Sequence, residues 1–84
     1  MYKCRAVFGH DFGITPQLSA KLVTLGEQFK SSLHIEYGGR EVQLDSLIGL
    51  ISVAFHRGDV ITVCAQGDDE ETSANAVRLV LENS

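Results

Sequence analysis

The chain has no tryptophan, one proline, two cysteines and no apolar run approaching the roughly 18–20 residues that span a bilayer. Cys4 and Cys64 are too few for the disulfide framework of small secreted domains, and their separation is not a metal-ligand spacing. Basic residues are scarce as well. Seven Lys+Arg stand against eleven Asp+Glu, a formal charge of -4 and the wrong balance for neutralising phosphates along a duplex. Met1-Tyr2-Lys3-Cys4-Arg5 leads into alternation instead of the apolar block of a signal peptide. Eighty-four residues suffice for one small globular domain over residues 1–84, which buries only roughly 60% of the surface its unfolded chain exposes. These observations predict a soluble cytoplasmic domain with no deep enclosed active site, no direct nucleic-acid contact and no membrane association.

What is present is a succession of periods. Residues 2–8 alternate at period two, a strand, and stop at the turn-rich Gly9-His10-Asp11-Phe12-Gly13. Thr15-Pro16 joins a capping hydroxyl to a proline at the first helical position, where its missing N–H is not needed. Leu18, Leu22, Leu25 and Phe29 then form one apolar helical stripe, with Gly26 near its end suited to close packing or termination. Residues 33–37 and 40–44 alternate on either side of Gly38-Gly39, a β-hairpin whose turn needs positive φ. Ser46 caps the apolar run 47–55, too apolar for a free surface helix and bounded by Gly58, and the pattern predicts a short, half-buried helix. A strand rich in β-branched residues spans 59–65. The acids at 68–71 then open a last helix with the stripe Ala74, Val77, Val80 and Leu81, and Arg78 lies near its C-terminal end. The order β-α-β-β-α-β-α predicts an α+β fold, a four-stranded antiparallel sheet covered on one face by three helices. Strand parity turns Cys4 toward the core and Cys64 outward, which excludes a disulfide and predicts one buried and one surface thiol.

The residues that carry chemistry are few. His34 lies on the polar side of its strand and is expected to face solvent, and His56 follows the second helix, where a cation suits a C-terminus. His10 is the histidine of chemical interest, because its loop leads straight to the start of the first helix, a weak anion site like any helix N-terminus. The run Asp68-Asp69-Glu70-Glu71 lacks the EF-hand ligand pattern, so neither a metal nor a cofactor is predicted. Ser46 has two compatible roles, as a helix cap and as a place where a phosphoryl group meets the helix dipole without remodelling the fold. Leu47, Ile48 and Ile51 cannot all face inward on a short helix, so some form an exposed apolar docking patch. Composition and spacing favour a regulated interaction module over an enzyme.

With these segments placed, the whole chain resembles the HPr family, the phosphocarrier proteins of the bacterial sugar phosphotransferase system. The likeness is carried by Gly13-Ile14 before the first helix, by residues 33–39 through the hairpin, by residues 45–52 around Ser46, and by Gly58 through Glu70 at the last strand. It implies an open-faced β-sandwich with sheet order β1-β4-β2-β3. It also implies a departure at the carrier motif: Thr15 occupies the position of the phosphoacceptor histidine, Gln17 that of the phosphate-binding arginine, and Leu18 that of the following proline. A phosphohistidine keeps the transfer potential a relay needs, whereas a phosphothreonine is a stable ester. Losing the arginine removes a bidentate phosphate partner. The resemblance is closest to the histidine-less Crh branch of the family. It implies regulatory phosphorylation of Ser46 by the HPr kinase/phosphorylase, recognition by the catabolite control protein, and either a monomer or a strand-swapped homodimer. Asp45 stands where the family usually has lysine, and it disfavours a second negative charge beside it. Two alternatives accompany this reading: a carrier in which His10 is a displaced acceptor, and a constitutive binding domain in which Asp45 supplies a fixed negative charge.

Overall fold

The computed structural model of the chain describes residues 1–11 and 13–83, with Leu47 described through its backbone. Phe12 and Ser84 lie outside the described residues. Seven elements follow in the expected order: β1 (Tyr2–Val7), α1 (Pro16–Glu27), β2 (Ser32–Tyr37), β3 (Arg40–Gln43), α2 (Leu47–Ile51), β4 (Val60–Gln66) and α3 (Glu70–Glu82). The strands make one antiparallel sheet in the order β1-β4-β2-β3. Ala6, Ile35, Val42, Ile61 and Val63 point from the sheet into one core with Leu18 and Leu22 of α1, Leu50 of α2, and Ala74, Val77 and Leu81 of α3. The open-faced α+β sandwich is therefore the observed fold.

Local chemistry accounts for the element ends. Thr15 is extended and its Oγ1 accepts the Leu18 N–H at 3.2 Å, while Pro16 opens the helix. Gly38 and Gly39 take φ of 58° and 80°, which lets a two-residue turn match the twist of β2 and β3. Near the end of α1, a Cβ on Gly26 would stand 3.4 Å from Leu44 and 3.8 Å from Leu33, ordinary van der Waals distances, so packing there does not demand a glycine.

Four expectations need correction. The second helix stops at Ile51, well short of Phe55: Ser52 closes it with its Oγ donating to the Gly49 carbonyl at 2.8 Å. Beyond it Val53 and Phe55 are buried on either side of exposed Ala54, a period of two that continues the apolar run without a helix. His56 accordingly does not sit at a helix C-terminus; its side chain is 80% exposed in the loop before β4. The parity of the cysteines holds, since Cys4 faces α3 with its Sγ 3.8 Å from the Ala74 carbonyl and both thiols are free. Cys64 nevertheless is no surface thiol. It is fully buried, because β4 is flanked on both sides and Lys3 of β1 and His34 of β2 are its direct cross-strand neighbours. His34 is likewise no solvent-facing residue, as its imidazole is only 14% exposed.

Candidate functional site

Ser46 ends the β3 connection and begins α2. Its backbone is extended, its N–H donates to the Gln43 carbonyl at 3.2 Å, and its Oγ accepts the Gly49 N–H at 3.1 Å. Gly49 leaves this space open: a Cβ there would come 2.8 Å from the Ser46 Oγ and 3.2 Å from Val42. The first turn of α2 carries no acid, and the exposed Asp45 precedes Ser46 at the positive end of this short helix. Leu50 turns into the core, whereas Ile48 is 84% and Ile51 46% exposed. Two members of the expected docking patch are thus solvent-facing apolar groups beside the serine. The side chain of Leu47, the third, lies outside the described residues.

Thr15 is half-buried and Gln17 exposed at the start of α1. Gly13 lies against the Phe55 carbonyl, so the loop entering α1 rests on the segment that leaves α2. The two helices pack against each other. Both hydroxyls, Thr15 and Ser46, accept backbone N–H groups. That role orients an oxygen but does not raise its nucleophilicity, for which an adjacent base is needed.

His10 is turned toward α3. Its Nε2 lies 2.7 Å from the Val80 carbonyl, a contact that requires the ring to carry its proton there, and its ring tilts against Phe8 at 5.2 Å. The loop around it is latched by Arg57, whose guanidinium donates to the Gly9 carbonyl at 2.9 Å and pairs with Asp11 at 2.9 Å. On the other side of Phe55, Asp59 accepts the Tyr37 hydroxyl at 2.7 Å and the His56 N–H at 2.8 Å. These two hydrogen bonds hold the Asp59 carboxyl below the usual carboxylate range, and the first of them, with burial and the carboxylate's charge, pushes the Tyr37 phenol up. Asp69, within the acidic run, serves the loop between α1 and β2. It accepts from the Ser31 hydroxyl at 2.5 Å, the Lys30 N–H at 2.9 Å and the Ser31 N–H at 3.0 Å, and these bonds hold its carboxyl low. Sequence reasoning missed Arg57, Asp59 and Asp69 as organisers of the site's surroundings, because their partners are distant in the chain and no local pattern announces them.

Comparison with known proteins meets this geometry from outside. The family described as "PTS HPr component phosphorylation site" matches residues 3–83, nearly the whole chain. The phosphocarrier protein HPr of Xylella fastidiosa strain 9a5c is 31% identical over 83 residues, covering 99% of this chain and 93% of its own. HPr of Bacillus anthracis superposes with a TM-score of 0.87 at 25% identity, covering 95% of each chain. The catabolite-repression protein Crh of Bacillus subtilis, seen as a dimer with a swapped domain, does so with 0.77 at 26% identity, covering 98% of this chain and 94% of its own. The chain belongs to the HPr family of the phosphotransferase system. Its named relatives are phosphocarriers, and no helix among its described residues is long and apolar enough to cross a membrane.

Proposed function

We propose that this protein is a non-enzymatic, cytoplasmic HPr homologue of the Crh type, acting in carbon catabolite regulation. In this reading one domain is phosphorylated on Ser46 by an HPr kinase/phosphorylase, and the surface of Ile48, Ile51, Leu47, Thr15 and Gln17 then docks on a catabolite control protein. The observation that carries the reading is a capping serine at the start of α2 with Ile48 almost wholly exposed two residues further on. A phosphate on Ser46 adds acceptors beside the first-turn N–H groups of α2, and the apolar neighbours supply desolvated contact area to a partner. Thr15 in place of the carrier histidine, and Gln17 in place of the arginine, remove the chemistry of a relay. The His10 Nε2–H donates to the Val80 carbonyl and leaves Nδ1 with the ring's free lone pair, so the His10 alternative is decided by the Enzyme I arm of the test below.

A second reading has one observation in its favour: Asp45 is exposed immediately before the capping serine and offers a permanent negative charge at the same end of α2. Intact-mass measurement after incubation with HPr kinase plus ATP, and separately with Enzyme I plus phosphoenolpyruvate, separates the cases. One phosphate added by the kinase and absent in Ser46→Ala is expected. Phosphate from Enzyme I on His10 would overturn the proposal. No phosphate from either, with partner binding lost in Asp45→Lys, would replace it by the fixed-charge domain.

A further inference from the structure

The open face of the sheet carries a group of side chains that the function above does not use. His34 and Glu36 alternate on β2, so both project to the face away from the helices, and the β2-β4 register sets Cys64 directly opposite His34. An imidazole nitrogen, a carboxylate oxygen and the Cys64 Sγ all lie within 4.8 Å of one another. The His34 Nε2 is 3.6 Å from Glu36 Oε2 and 3.9 Å from Oε1 of Glu41, which β3 pairs with Glu36. Cys64 is fully buried beneath these groups and His34 is largely buried, whereas the carboxylates of Glu36 and Glu41 are exposed at 40% and 56%, so the site is a sulfur and nitrogen floor with an open carboxylate rim.

We propose that Cys64, His34 and Glu36 form a binding site for a zinc-type divalent cation, with Glu41 or a water completing four-coordination. Sulfur, nitrogen and oxygen donors in one set suit a borderline-soft ion that accepts tetrahedral geometry, and they do not suit calcium or magnesium, which take oxygen alone. Donor atoms around a tetrahedral zinc stand about 3.3–3.8 Å apart, by geometry from bonds of about 2.0–2.3 Å. Small rotations of side chains on a rigid sheet close the present spacing to that. On binding, the Cys64 thiol releases its proton to solvent and its sulfur bonds the metal as thiolate. The Lys3 ammonium, 3.7 Å from Glu36 Oε1, gives way to the ion. Expecting no metal from the acidic run and the cysteine count overlooked this set, since its members meet only through strand register.

Titration of the intact protein with Co2+ tests the site. Stoichiometric Co2+ is expected to produce near-ultraviolet thiolate-to-cobalt absorption and intense visible bands of a tetrahedral ion, both abolished by added Zn2+. Cys64→Ser is expected to remove the thiolate absorption, His34→Gln to weaken binding at least about tenfold, and Cys4→Ser, on the helix side of the sheet, to change neither. Circular dichroism establishes that each variant is folded, and His34→Gln leaves the buried thiol in place should Cys64→Ser not fold. Absence of the thiolate absorption in the wild-type protein, its survival in folded Cys64→Ser, or undiminished affinity in His34→Gln would each overturn the proposal.

Discussion

At the scale of single residues, the side-chain oxygen of Ser46 does work that any substitution must replace. Ser46→Ala leaves the Gly49 N–H without its acceptor and is expected to cost about 0.5–2 kcal/mol, read as a lower urea midpoint. Ser46→Asp keeps an acceptor at the cap and is expected to stay closer to wild type in the same measurement. Asp69 and Asp59 set part of the acid sensitivity. Both carboxyls are held below their ordinary value in the fold, so their contribution is fully present above the unfolded aspartate pKa of about 3.9. It is lost as pH falls through the lower folded-state values. Asp69→Asn is therefore expected to lower stability at neutral pH and to flatten its decline in acid, in denaturation series across pH. The caps at Thr15 and Ser46 were legible in the sequence because a cap and the N–H groups it serves lie within four residues. The burial of Cys64 and His34 was not, because alternation gives the face of a strand but not what its neighbours lay over that face.

Among the elements, the hairpin and α1 illustrate what short-range pattern can carry. Gly38-Gly39 between two alternating runs predicted the turn, and both residues take positive φ. Gly39→Ala is expected to cost about 1–2 kcal/mol, the penalty for an L-residue in that region, seen as a lower melting temperature. The stripe of α1 predicted Leu22 as core, and it is fully buried; Leu22→Ala is expected to cost about 2–5 kcal/mol in chemical denaturation. The end of α2 was not legible. A run apolar at nearly every position has no single period, so the change from helix to irregular chain at Ser52 leaves no mark until tertiary packing assigns Val53 and Phe55 their places.

At the scale of the molecule, β1 closes on its own β4 over the full register from Tyr2 with Ala65 to Val7 with Val60. The exit from that strand is tied down: Phe8 N–H donates to the Asp59 carbonyl at 2.8 Å, Gly9 N–H to the Leu81 carbonyl at 3.0 Å, and Arg57 grips the Gly9 carbonyl and Asp11. Exchange of β1 between copies requires this hinge to open. The wild-type protein is expected to sediment as a monomer at micromolar concentration, and Arg57→Ala to raise the dimer fraction after refolding at high concentration. Equal dimer content in the two proteins would remove the latch as the controlling element.

Tyr37 gives the molecule a built-in light source. With no tryptophan and only two tyrosines in the chain, ultraviolet emission comes from phenols alone. One of the two stands edge-on to Phe55 at 4.8 Å while its hydroxyl donates to Asp59. A carboxylate acceptor quenches an excited phenol by taking up its proton, so emission from Tyr37 is expected to be weak in the folded protein. An event that breaks the Tyr37–Asp59 hydrogen bond is expected to brighten that emission, so tyrosine fluorescence reports on this corner of the fold without an attached dye.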